Sequence, residues 1–342
     1  MTSTPPPNPS SIPKWLPWAL LLGLGVLAVV LLLPSALDVG DPDEDAKAQK
    51  KTGFVLSASN ERSFAPLDSD VVLFAKMHQV LRSPIMPLLE LNRERIWQTM
   101  RLDPKVKAFL EASGLDLEKS KSLAMAFRAL SSRSKRPEAV AQWQGSFAKD
   151  KVVKAFQEAT QASATAIVGN DVLSAGNLAL KADKRLTLGQ RPFFDDAITT
   201  KERFEDIPEV AELLATLDKQ GAITAVGRGS VIPNIDLSAV DTEPLKTVRW
   251  WAITLDTMGV PTVRAAFLSN TPDQASDVSA AIESALGLAS LGLGVMSGDM
   301  EPVAELINRC EIAEKGRIVT LSVEYPLNLI PGLVKGLRSQ RR

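Results

Sequence analysis

The sequence predicts an α+β fold: one N-terminal transmembrane helix followed by two similar modules of mostly antiparallel sheet covered by helices. Three observations lead there. Residues 15–37 (WLPWALLLGLGVLAVVLLLPSAL) carry no charge. Residues 38–53 (DVGDPDEDAKAQKKTG) are polar and charged, and read as a tether. Beyond the tether, short strands and amphipathic helices recur twice in one order.

The uncharged run is long enough to be an anchor. A hydrocarbon core about 30 Å thick needs roughly 20 apolar residues in a helix, and Trp15 to Leu33 supplies them. Trp15 and Trp18 sit at one end, where indole rings favour the headgroup zone. Pro17 falls in the first turn, where a missing N–H costs little. Lys14 precedes the run, and Asp38, Asp41, Asp43, Glu44 and Asp45 follow it. Positive charge on the short flank puts residues 1–14 in the cytoplasm and exports the remainder. A cleavable signal peptide has a shorter apolar core before a small-residue site. Here the nearest such site, Pro34-Ser35-Ala36, has proline where a small residue belongs.

The first module is expected over 54–205. It opens with a strand at Val71–Lys76, then a helical stretch over 84–112, then strands at Leu123–Leu130 and Ala139–Phe147. A helix follows at Asp150–Ala159, with Val152, Val153 and Phe156 at helical spacing. Strands at Ala166–Leu173 and Leu178–Leu188 lead into short helical pieces. Helix Ile207–Lys219 joins the halves.

The second module spans 206–342, with strands at Ala222–Val226, Val248–Asp256 and Thr262–Leu268. Thr271-Pro272-Asp273-Gln274 is a capping box with proline at the first helical position. Val278, Ile282, Ala285, Leu286 and Ala289 give that helix an apolar face. A further helix near 299–309 precedes a hairpin, Cys310–Ala313 and Ile318–Tyr325, turning at Lys315-Gly316. In its second strand Val319, Leu321, Val323 and Tyr325 alternate with Thr320, Ser322 and Glu324, so one face is buried and one wet.

An anchor, an acidic tether and paired modules with strands such as DVVLFAKMHQVL and TVRWWAITLD resemble a group of uncharacterised bacterial membrane-anchored envelope proteins. The resemblance implies a single-pass protein of the bacterial inner membrane, with duplicated α+β modules outside the cytoplasm. It carries no functional residues with it.

Composition narrows the chemistry. From residue 52 onward there are 35 charges of each sign. A neutral surface argues against nucleic acid, whose backbone is bound by concentrated positive charge. Cys310 is the only cysteine and His78 the only histidine. Two such residues are too few for a zinc site, and one cysteine makes no internal disulfide. No cofactor is expected.

Several fragments imitate active-site motifs. Ser132-Arg133-Ser134-Lys135 and Lys51-Thr52-Gly53 have the spellings of penicillin-recognising enzymes, but in the wrong order and context. Asp256-Thr257-Met258-Gly259 is better explained as a strand connection in which Gly takes a positive φ. Gly292, Gly294 and Gly298 miss the dinucleotide spacing. His78 would serve as a base only if the fold brought a nucleophile to it. Cys310 reads as a small buried apolar residue.

Trp250-Trp251 is the most informative local feature, because adjacent strand residues point to opposite faces. If both sheet faces are packed, the pair is structural. An exposed ring would instead mark an interface. The basic end, 335–342 (KGLRSQRR), reads as a solvated terminus or as a contact for anionic lipid headgroups or an acidic partner. The expected function is non-catalytic binding of a protein or apolar ligand at the envelope. The alternative is an extracytoplasmic hydrolase with an unrecognised carboxylate or serine site.

Overall fold

The computed structural model describes residues 65–84, 109, 112–115, 119–128, 138–160, 166–168, 172–175, 177–199, 202–217, 221–234, 243–257, 259–294 and 301–329. The expected anchor with Lys14, Trp15 and Trp18, the tether, most of 84–112, the S-x-x-K and K-T-G fragments and the basic end lie outside them. Among the described residues no helix is long and apolar enough to cross a membrane.

Strand Val71–Lys76 (β1) runs directly into the short helix Met77–Leu81 (α1). Ser120–Arg128 (β2) and Glu138–Gly145 (β3) precede helix Lys149–Thr160 (α2). Four short strands follow, Ala166–Val168 (β4), Val172–Ala175 (β5), Leu178–Ala182 (β6) and Leu186–Gln190 (β7). Helices Phe193–Thr199 (α3) and Pro208–Thr216 (α4) lead to Ile223–Arg228 (β8), Val248–Asp256 (β9) and Thr262–Ser269 (β10). The long helix Pro272–Gly294 (α5), helix Glu301–Asn308 (α6) and the hairpin of Glu311–Lys315 (β11) with Ile318–Glu324 (β12) complete the order.

The fold is α+β and dominated by one large antiparallel sheet, ordered β11-β12-β10-β9-β8-β1-β2-β3-β7-β6-β5-β4. Two sheets were expected, one per module. They are continuous, because β1 pairs with β8, Val72 opposite Val226 and Phe74 opposite Thr224. Separate sheets would each leave a strand edge with unpaired N–H and C=O groups, and this pairing satisfies both edges. Outward from that seam the orders β1-β2-β3-β7-β6 and β8-β9-β10-β12-β11 run in parallel.

Two strands expected from sequence are really hairpins. Val168 lies opposite Val172, and Ala182 opposite Leu186. The residues between them, Gly169-Asn170-Asp171 and Asp183-Lys184-Arg185, are turn chemistry that apolar flanks disguised. The Asp183 N–H donates to the Arg185 carbonyl at 3.0 Å. The capping box is present: Thr271 Oγ1 accepts from the Gln274 N–H at 3.2 Å, ahead of α5. Gly259 and Gly316 have φ of 79° and 58°, as their turns require.

Helices lie on both faces of the sheet. On one face α1, α5 and α6 pack against Leu123, Leu255, Val263, Val319 and Val323, and α2 packs against Leu173, Leu180 and Leu186. On the other face lie α3 and α4, through Phe193, Phe194, Val210, Leu213 and Leu214. A nine-residue helix such as α4 is not stable on propensity alone. Burying its Val and Leu side chains, at roughly 1.5–3 kcal/mol each, holds it to the sheet.

Candidate functional site

The α3/α4 face is built in cross-strand rows, and the rows change character along the strands. One row runs Ala266, Ala252, Val226, Val72, Ala126 and Val140 across six strands. It continues to Gly189 and Ala179. These residues are all small or β-branched, and those of the six strands belong with α3 and α4 to one buried cluster.

Two residues further on, the face turns polar. The next row carries Arg264, Thr254, Thr224 and Phe74 on β10, β9, β8 and β1. It continues through Ala124, Gln142, Thr187 and Lys181. Beyond it lie Thr262 opposite Asp256, and Lys76 opposite Ser122. Although polar, Thr224, Thr254, Ser122 and Lys76 are all buried, Lys76 being 6% exposed. Burial lowers the Lys76 ammonium to about 8, against an opposing and smaller attraction from Asp256.

The two arms of this row differ in how their polar groups are satisfied. On the β3–β7 arm, Arg185 Nη1 donates to Gln142 Oε1 at 2.8 Å and Gln142 Nε2 donates to Thr187 Oγ1 at 3.4 Å. Ser122 Oγ donates to Gln144 Oε1 at 3.3 Å. On the β9–β10 arm, Thr254 Oγ1 and Arg264 Nη1 are both buried without a hydrogen-bond partner. They belong to residues directly opposite one another.

The opposite end of the same face is also charged, but closed. Arg128 lies over the Phe193 ring at 4.5 Å and donates to Asp68, Glu138 and Asp196 at 2.7, 2.7 and 2.9 Å. Burial disfavours its charge, yet the hydrogen bonds outweigh that and raise its pKa. Arg228 lies 4.8 Å over the Trp250 ring and donates to the Ser69 and Leu67 carbonyls at 3.0 and 2.8 Å. These arrangements hold α3 and the chain before β1 in place, although Trp250 Nε1 at the same end is also buried without a hydrogen-bond partner.

The tryptophan pair divides as strand geometry requires. Trp250 faces α4, is 4% exposed and meets Phe204 edge-on at 5.4 Å. Trp251 points to the α5 face, partly buried beside Val248 and Val278, and its Nε1 donates to the Arg228 carbonyl at 3.0 Å. Both rings are thus engaged in packing, and Trp250 offers a partner almost no surface. His78 lies on α1, partly exposed, where its carbonyl accepts from the Arg82 N–H. Cys310 is partly buried beside α6, and burial raises its thiol to about 11. Sequence reasoning missed Thr254, Arg264 and Lys76, because the row exists only once the register of six or more strands is known. Among the described residues no group of three His, Cys, Asp or Glu side chains could hold a metal ion.

No family model matches the chain, and no curated protein matches it. Among solved structures, crystal form I of TP0453 aligns with a TM-score of 0.40 and 10% identity, over 82% of this chain and 99% of that chain.

Proposed function

We propose that the protein is a non-catalytic, membrane-anchored binding protein of the bacterial envelope, working outside the cytoplasm. The observation that carries the binding reading is a pair of buried polar groups beside the row that α3 and α4 cover. Helices α3 and α4 pack on the apolar row, while in the adjoining row Thr254 Oγ1 and Arg264 Nη1 are buried without a hydrogen-bond partner among the described residues. A buried donor left unmade costs about 1–3 kcal/mol, a cost that a bound group would relieve. Placement rests on the uncharged run at 15–37 and Lys14 before it. The parallel strand orders on either side of the β1–β8 seam support a duplicated α+β module, divided near residue 206.

Two experiments test this reading. A pull-down of the anchored protein from crosslinked membranes should enrich a partner above a membrane-protein control; no enrichment removes its main support. A C-terminal alkaline phosphatase fusion should be active, whereas an inactive but stably expressed fusion refutes the orientation.

Hydrolysis is a second reading with one observation behind it. Lys76 sits directly opposite Ser122, and its lowered pKa suits a general base. A fluorophosphonate probe that labels the wild type but not Ser122→Ala would support it. Equal labelling of both would dismiss it.

A further inference from the structure

The polar arm of the α3/α4 face has a donor set that selects one class of ligand. We infer that Arg264 and Thr254 form a site for a carboxylate, seated on β9 and β10 at the edge of the helix-capped row. This rests on the binding reading above and specifies its ligand.

Four features of the geometry favour a carboxylate. The two unpartnered groups are on directly opposed residues, Thr254 1% exposed and Arg264 partly buried. The Cβ atoms of opposed residues on one face stand about 5 Å apart. From opposed positions a hydroxyl and a guanidinium can both donate to one carboxylate, and guanidinium matches that shape better than a point charge would. Ser322 flanks Arg264 on β12 and Thr224 flanks Thr254 on β8, so the row continues with hydroxyls on both sides.

Charge sets the anion's valence. Arg264 and Lys76 are cations of this part of the face, and Asp256 and Glu324 lie on either side of Thr262 in the following row. These four charges cancel, so the anion is set by the single guanidinium that meets it, which favours one negative charge over two. Gly221 packs closely against the pair: a Cβ there would lie 2.9 Å from the Ile223 and Leu255 carbonyl oxygens and 3.1 Å from the Thr254 Cβ. No ligand group need come from Asp256, which stays with Lys76.

The test uses the full chain in detergent micelles, with sodium acetate as the probe. Thermal unfolding is followed across an acetate titration at constant ionic strength, with sodium chloride and inorganic phosphate as parallel series. The expected result is a saturable rise in the midpoint with acetate, weaker with phosphate and absent with chloride. Arg264→Met and Thr254→Val should each weaken half-saturation at least tenfold, while Thr254→Ser, which keeps the hydroxyl, stays near wild type. An equal rise with chloride, a larger rise with phosphate, or unchanged half-saturation in both variants would each overturn the assignment. A folded Thr254→Ser control separates loss of binding from loss of fold. Failure here with a partner still enriched in the pull-down removes the ligand class and leaves the binding reading standing.

Discussion

Trp251 lies over Gly227, its indole occupying the space that a side chain on β8 would take. A Cβ at Gly227 would sit 2.4 Å from Trp251 Cζ2 and 2.6 Å from Cε2. The ring is held there by its own hydrogen bond to the Arg228 carbonyl and by packing against α5. Gly227→Ala should therefore destabilise by about 1–3 kcal/mol, the usual range for overpacking. Adding Trp251→Leu, which removes the obstructing ring, should recover part of that loss in a double-mutant cycle read by urea unfolding. Gly229 gives the contrast. Its Cβ would meet the Val248 carbonyl oxygen at 1.6 Å, so the obstacle is backbone and no side-chain change relieves it. Gly229→Ala should cost ~3 kcal/mol or more.

Arg128 is the hinge of the closed end of the face. It joins Asp68 before β1, Glu138 on β3 and Asp196 on α3, with Phe193 beneath it. Two of the carboxylates are about half exposed, so the loss is discounted for solvent screening. Arg128→Met should destabilise by about 1–2 kcal/mol, and Arg128→Lys should recover little, because an ammonium cannot reproduce the fork. Urea unfolding of both variants checks this; full rescue by lysine would show that charge alone matters.

Lys76 makes stability depend on pH in a defined direction. Its ammonium is lowered from 10.5 to about 8 by burial, so the folded state holds fewer protons than the unfolded chain between those values. Stability from this group therefore rises with pH from about 8 to 10.5, and its full penalty is present below 8. Lys76→Met should stabilise the protein at pH 7 by an amount on the order of 1 kcal/mol after screening. That advantage should shrink across the same window. Paired unfolding curves at pH 7 and pH 10 read the difference; an offset independent of pH would show that the ammonium carries no burial penalty.

What could be read in the sequence was local. Val71–Lys76 and Val248–Asp256 have the extents expected of them, because both are short, mostly apolar runs rich in β-branched and aromatic residues. The cap of α5 was legible for the same reason, since Thr271 and Gln274 act within one turn. The joining of the two halves was not. Nothing within β1 specifies β8 as its neighbour rather than an open edge. The polar row was hidden for a related reason. Thr254 alternates with Ile253 and Leu255 on β9 as any wet-face residue would, and Lys76 ends its strand as a solvated lysine does. Only the register places Arg264 opposite Thr254, some ten residues away in sequence, and buries both groups.

Cys310 offers a test of how firmly α6 holds to the sheet. Its thiol packs in the cluster that includes Leu306, Val323 and Tyr325, with Sγ 3.5 Å from the Leu306 carbonyl oxygen. Burial raises it from 9.0 to about 11. Thiolate is the reactive form, so two units leave roughly 100-fold less of it at neutral pH. Maleimide labelling of the native protein at pH 7.5 should be at least that much slower than labelling in urea. The Tyr325 phenol, also raised by burial, sits in the same cluster and adds no cation to draw the thiol down. Leu306→Ala should open the packing beside the sulfur and speed native labelling without changing the rate in urea. Native labelling as fast as that of a free thiol would mean that α6 leaves the sheet readily, and that the cluster beneath it is not a stable part of the core.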